Sequence, residues 1–494
     1  MNEIRKDIHR KLLALSKHIK DIHISELHNQ NELAGMTVNQ ELLDFDYSKQ
    51  RISDNILDYL FQIPDQINLR ESLKALFDGT LKNPSEDRLV SHTLYRNKAL
   101  PENFQLIITE REKIKNFLKQ KSITSKFKNL VCLSIGGSRL GPELLSEFQS
   151  SDGLINIFYC SSYDLLELND VLRNCKQHET LVFASSKSFE TSEILKNLDH
   201  LKSWFEKNPD INFQDHLYGI SANAHAMNSF GIKESNQFLL LDSLGGRFSI
   251  WSSISLPAFI NSDFSSYLDL LEGAQLADRH TNSASWESNI PVIMALLSVW
   301  NTSGLNINNH GIFTYSFRLR SLTKYIAQMS MESNGKSINF ESRPSPFLTS
   351  PLIWGGYGIE SQHSIFQWLM QGKTETSCDF IGLNSIDKKS SDSYEMLLSQ
   401  VLAMSHGKED KEDPYKSVRG NNPCSILKLN SLDLKSLGFL LAIYEHKVFI
   451  EASILGIDPF DQWGVQLGKK LAVEAKSNKE FLGDYFSENF LPKS

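Results

Sequence analysis

Nowhere in the chain do about 18 uncharged apolar residues follow one another, so no membrane-spanning helix is expected. Cysteine is scarce and scattered. Cys132, Cys160, Cys175, Cys378 and Cys424 are odd in number, and no Cys-x-x-Cys pair occurs among them. A zinc knuckle or redox motif is therefore unsupported, and reduced thiols in a cytosolic protein are the expectation. Surplus positive charge is missing too. Lysine and arginine number 51 against 59 aspartates and glutamates, a net charge of −8, which argues against a nucleic-acid partner. The same sign makes an anionic substrate slightly unwelcome at long range, so a phosphate-bearing ligand would need local donors. Met1 to Lys20 alternates charged and apolar side chains and lacks the apolar core of a secretory signal. A soluble, cytoplasmic protein is expected.

What is present is ordinary globular material: 494 residues, 40% hydrophobic and 22% charged. Single cores stop growing at roughly 250–300 residues, so two domains are expected, although length alone at about 150 residues per domain would give three. Residues up to about 110 read as helices with polar connections, as in Ile4 to Ile22 and Glu71 to Phe77. Near residue 128 the pattern changes. Asn129-Leu-Val-Cys-Leu-Ser-Ile135 is a short apolar run of the kind a buried strand requires, and Ile155–Cys160, Thr180–Ala184, Leu217–Ile220 and Phe238–Leu241 repeat it. Helical stretches such as Glu190 to Glu206 lie between them, which implies parallel strands in an α/β sandwich. A second series follows after about residue 290. It has helices at Pro291–Trp300, Leu319–Met331, Ser361–Gln371 and Glu395–Ser405, and strands at Gly311–Phe317, Cys378–Gly382 and Ser425–Leu429. Leu432 to Leu455 reads as a buried core helix, because Glu445, His446, Lys447 and Glu451 interrupt it. The expected organisation is a helical N-terminal segment (1–110) packed on the larger domain, a first, smaller α/β domain (111–285) and a second, larger one (286–494) with C-terminal helices.

Six segments could carry chemistry. Ile135-Gly-Gly-Ser-Arg-Leu-Gly-Pro142 follows a strand and opens a helix, so its amides could meet an anion. Ser138 stands where a dinucleotide fingerprint would need glycine, and a plain tight turn is the alternative. Ser185-Ser-Lys-Ser-Phe-Glu-Thr-Ser-Glu193 places five hydroxyls and a lysine at another helix start, for phosphate or for capping. In Asp242-Ser-Leu-Gly-Gly-Arg-Phe-Ser-Ile-Trp-Ser253 an arginine within an apolar stretch needs a partner, catalytic or structural. Gln328-Met-Ser-Met-Glu-Ser-Asn-Gly-Lys336 carries a glutamate after a helix. Trp354-Gly-Gly-Tyr-Gly-Ile-Glu-Ser-Gln-His363 puts a histidine at a helix start after a glycine-rich loop. In Phe460-Asp-Gln-Trp-Gly-Val-Gln-Leu-Gly-Lys-Lys-Leu471, Gln462 and Lys469 share a helical face if the whole segment is helical.

Taken together and in this order, the six segments resemble the glucose-6-phosphate isomerase (phosphoglucose isomerase) family. Asp242 to Ser255 is similar to its Gly-Gly-Arg signature and Phe460 to Lys469 to its C-terminal Phe-Asp-Gln-x-Gly-Val signature; the likeness runs from about residue 44 to 475. The resemblance implies two α-β-α sandwich sugar-isomerase (SIS-type) domains with parallel sheets. It also implies reversible isomerisation of glucose 6-phosphate and fructose 6-phosphate through an enediol, with no metal and no cofactor. By the same resemblance Glu332 is the catalytic base, Arg247 the cation near the enediolate, and His363 with Lys469 the ring-opening pair. Gly137, Ser138, Ser186, Lys187, Ser188 and Thr191 would line the sugar-phosphate site, with Gln328 and Gln462 as further substrate contacts. A homodimer is implied, His363 being contributed by the neighbouring subunit. The sequence departs from the family at Gly355-Gly-Tyr-Gly-Ile-Glu-Ser361, where Gly-Glu-Pro-Gly-Thr-Asn-Gly is usual. It also has Arg139 for aspartate, Gln466 for glutamate and Ser188 for threonine. A non-catalytic phosphosugar sensor and an isomerase of another hexose 6-phosphate are the rival readings.

Overall fold

The computed structural model describes residues 2–27, 35–97, 100, 102–149, 153–383, 388–477, 481–487 and 490. In chain order, strands β1 (Thr37–Asn39) and β2 (Leu43–Lys49) come first, followed by a small antiparallel pair, β3 (Lys82–Asn83) and β4 (Arg88–Leu89). Strands β5 (Asn129–Ser134), β6 (Asn156–Cys160), β7 (Thr180–Ser185), β8 (Leu217–Ser221) and β9 (Gln237–Leu239) form one sheet, ordered β6-β5-β7-β8-β9 and parallel throughout. Every residue of β5 and β7 is buried, the expected state of a strand with helices over its faces. Strands β10 (Asn309–Thr314), β11 (Leu352–Tyr357), β12 (Ser377–Leu383) and β13 (Cys424–Leu429) are the parallel part of a second sheet, ordered β1-β2-β13-β12-β10-β11.

Two parallel-sheet α/β units thus bear out the sandwich architecture, and three local expectations need correction. The N-terminal region is not helical alone: β2 pairs antiparallel with β13, and β1 with β2, so this region completes the second sheet. The stretch read as a glycine-rich loop before His363 is β11. A Cβ on Gly355 would sit 2.2 Å from the carbonyl oxygen of Ile312 on β10, and its φ is +127°, so only glycine passes there. The single helix expected over Ser361–Gln371 is two short helices, Gly358–Gln362 and Phe366–Gln371. His363 closes the first of them instead of opening a helix.

The helix Leu434–Leu455 lies at the centre of the larger core, packed along the Phe264–Ser283 and Ile290–Val299 helices. The charged residues in its middle, Glu445, Lys447 and Glu451, are buried and paired. The Arg96 guanidinium bridges Asp278 and Glu445, Trp251 Nε1 donates to Glu445 Oε2 at 2.8 Å, and Lys447 Nζ lies 3.2 Å from Glu451. No helix among the described residues is long and apolar enough to cross a membrane.

Candidate active site

The Gly137–Phe148 helix starts directly after β5, and its first residue lies against the turn that carries the arginine. A Cβ on Gly137 would stand 2.2 Å from Gly246 O and 2.6 Å from Arg247 N, so the two glycine motifs meet backbone to backbone. Gly136, at φ +59°, brings the same turn to the Gln328 side chain, whose Nε2 would be 3.2 Å from a Cβ there. Ser138 and Arg139 are half-buried in the helix's first turn. Arg139 pairs with Glu143 and Glu167, each at 3.1 Å, which is how the charge is accommodated.

Arg247 sits in the 3-10 turn Gly246–Trp251 with its side chain 1% exposed. Nε donates to Ser333 Oγ at 2.6 Å, Nη1 to Gln462 Oε1 at 2.9 Å, and Nη2 to the carbonyls of Pro459 and Asp461. The same Nη1 lies 3.6 Å from Glu332 Oε2, which also accepts from Gln328 Nε2 at 3.0 Å. Burial draws the Arg247 pKa down, and the carboxylates of Glu332, Asp461 and Asp458 pull it back up. A guanidinium remains charged under such conditions. Gln328 and Glu332 are one turn apart on the Leu322–Asn334 helix and so project from the same face. Glu332, Lys336, Asp458, Asp461, Gln462 and Trp463 line a groove of about 580 Å³.

The hydroxyl-rich segment lies between β7 and the helix Ser192–Phe205. Thr191 is that helix's N-cap residue but makes no capping bond; its Oγ1 instead pairs with Ser186 Oγ at 2.8 Å. Ser188 is exposed and accepts from Glu190 N at 3.3 Å, so capping does not account for the cluster. Phe189, at φ +53° and buried, turns the chain back over the lysine and serine before it. Lys187 Nζ lies 3.6 Å from Asp242 Oδ1, and Arg88 reaches the same carboxylate at 3.3 Å. Burial lowers the Lys187 pKa, with Asp242 opposing. The segment Asp242–Arg247 therefore joins the hydroxyl cluster at one end to the Glu332 groove at the other.

Two candidates stand apart. His363 is exposed, is not part of the groove lining, and makes no side-chain hydrogen bond among the described residues. Lys469 is exposed on the helix Gln466–Ser477. That helix begins only after the 3-10 turn Trp463–Val465, so Gln462 and Lys469 do not share one continuous helical face as the spacing suggested. Lys336, which closes the glutamate-bearing motif, and Arg88, on β4, are two residues to which the sequence assigned no part. Lys336 lines the groove and Arg88 holds the carboxylate that faces Lys187. Among the described residues no group of three or more histidine, cysteine or acidic side chains could hold a metal.

The phosphoglucose isomerase family model matches residues 46–485. Glucose-6-phosphate isomerases from Acinetobacter baumannii strain AYE and Pseudoalteromonas translucida are 34% and 35% identical. They align over 96% and 92% of this chain and 93% and 90% of their own lengths. The crystal structure of a glucose-6-phosphate isomerase from Chlamydia trachomatis superposes with a TM-score of 0.88 at 29% identity, covering 97% of this chain and 96% of that one. With the family model matching most of the chain and the likeness running through nearly its whole length, this chain belongs to the phosphoglucose isomerase family.

Proposed function

We propose that the chain interconverts D-glucose 6-phosphate and D-fructose 6-phosphate by ring opening and proton transfer between carbons 2 and 1 through an enediol. The observation that carries this reading is the Glu332 carboxylate, held by Gln328 and facing Arg247 at 3.6 Å on an open groove. A carboxylate so placed can take a proton from one carbon and return it to its neighbour, both within hydrogen-bond reach. Arg247, fixed by four other acceptors, offers a preorganised cation for the oxygen that becomes negative. Ser186, Ser188 and Thr191, with the free amides at the start of the Ser192–Phe205 helix, are the phosphate contacts in this reading, and Lys187 adds a cation. Gly137, Ser138 and Gln462 bound the sugar. Phosphate binding at that remote end then positions the reacting carbons.

His363 and Lys469 are assigned to ring opening, as acid and base at the ring and anomeric oxygens. The exposed position of His363, outside the groove of its own chain, supports its donation to a second copy in a homodimer. The test is a coupled assay in chelator, with fructose 6-phosphate, glucose-6-phosphate dehydrogenase and NADP. Activity in the wild type and a fall in kcat of roughly 10²–10⁴-fold in Glu332→Gln, with phosphosugar binding kept, is the expected result. Tight binding without turnover by the wild type would make the chain a sensor instead.

A further inference from the structure

Two cations, not one, are anchored on the segment that carries Gln462. Arg247 is the first, through the carbonyls of Pro459 and Asp461. The second is Lys336, four residues beyond Glu332 and just past the end of the same helix. Its Nζ donates to Ser333 O at 2.5 Å and Asp458 O at 2.6 Å, and lies 3.2 Å from Asp461 Oδ1. Two of the ammonium protons are thus committed to carbonyl oxygens and the charge lies beside Asp461, so Lys336 is not placed to carry a proton to substrate.

The carboxylate it faces is the informative one. Asp461 is 5% exposed, and its Oδ1 accepts no hydrogen bond, leaving the Lys336 ammonium as its ion-pair partner. Asp458, also buried, takes amide protons from Phe460 and Ser85 instead. A buried carboxylate without a countercharge is strongly unfavourable. Were Lys336 neutral, the nearest remaining cation would be Arg247, whose Nη2 already touches the Asp461 carbonyl at 2.9 Å. The guanidinium would be drawn towards that carboxylate and away from Glu332.

We propose that Lys336 is a positioning residue for the isomerisation: by neutralising the buried Asp461 carboxylate it leaves the Arg247 guanidinium facing Glu332 and the developing oxyanion. The inference rests on the reaction proposed above, and the test separates the two. In the coupled assay Lys336→Met lowers kcat about 10- to 100-fold while KM changes less than roughly threefold, because the loss falls on the transition state. Adding Asp461→Asn removes the pull on Arg247, so the double variant recovers at least about fivefold in kcat over Lys336→Met. Lys336→Arg keeps the charge and stays within about fivefold of wild type. A purely structural lysine would cost stability, which Asp461→Asn would restore, and would leave the kcat of the folded single variant at the wild-type value. Wild-type kcat in Lys336→Met, or a double variant no better than the single one, overturns the inference. Should Lys336→Met not fold, the charge-balanced double variant decides: kcat within about tenfold of wild type supports the proposal, and a folded double variant down more than about a thousandfold overturns it. An inactive wild type would instead sink the reaction itself, which the Glu332→Gln control measures in the same series.

Discussion

Gly137 shows how little space separates the two ends of the proposed site. Its missing side chain lets the Gly137–Phe148 helix rest on the backbone of Gly246 and Arg247, and a methyl group there would overlap Gly246 O at 2.2 Å. Backbone cannot rotate aside as a side chain can. Gly137→Ala must push back the turn that aims Arg247, so kcat/KM is expected to fall about 10- to 100-fold. Stability should fall by about 1–3 kcal/mol, as for other overpacked sites. Coupled assays and thermal unfolding of the purified variant check this, and wild-type values in both would refute the contact. At this scale the sequence was informative about residue types and silent about pairing. The Gly-Gly-Arg run announced a buried arginine in need of partners. That these are Ser333, Gln462 and two carbonyls depends on the Pro459–Gln462 loop folding back, which no local pattern encodes.

Between helices, a neutral imidazole supplies a joint whose strength depends on pH. The Phe264–Ser283 helix meets the Ile290–Val299 helix where Ile290 N donates to His280 Nε2 at 3.1 Å, a bond only the unprotonated nitrogen can accept. Burial, with help from His446, pulls the His280 pKa from 6.5 to about 4. Above pH 6.5 neither folded nor unfolded chain carries that proton, and the joint is indifferent to pH. As pH falls through 6.5 the unfolded chain gains the proton and the folded one does not, so stability declines, levelling near pH 4 after a loss of up to about 3 kcal/mol. His92 and His446 are depressed by burial as well and act in the same direction. Urea unfolding at pH 7.5 and 5 should show a smaller pH dependence in His280→Gln than in wild type; equal dependence would refute the assignment. Elements differed in legibility for a physical reason. Strands β5 and β7 are buried on both faces and read as unbroken apolar runs. Strand β2 alternates, Leu43-Asp-Phe-Asp-Tyr47, and its burial alternates with it, a period-two signal that was present but set among helices. Strand β11 gave no such signal, because the close approach to Ile312 requires glycine where a strand would show apolar side chains.

For the whole molecule, the exposed His363 and the proposed exchange between copies predict complementation. Mixing inactive Glu332→Gln and His363→Ala proteins, with subunits allowed to reassort, places both intact residues together at one site of each hybrid. About a quarter of wild-type activity should return for random reassociation of a twofold dimer. No recovery, with hybrids demonstrated by native mass spectrometry, would assign His363 to its own chain's site. The second sheet also binds together distant parts of the chain: Leu43 of β2 is paired with Leu429 of β13. That pairing closes a loop of roughly 380 residues, an ordering cost that local contacts elsewhere escape. Strands β5 to β9, by contrast, fall between Asn129 and Leu239 and can pair with near neighbours. Pulse-labelled hydrogen exchange during refolding should therefore protect β5 and β7 amides before those of β2. On the ribosome the consequence is one of timing. β1 and β2 can pair with each other early, but the β2 edge that meets β13 must wait, open to other partners, until Cys424–Leu429 has emerged, so that edge is where nascent chains of this protein would need a chaperone's cover.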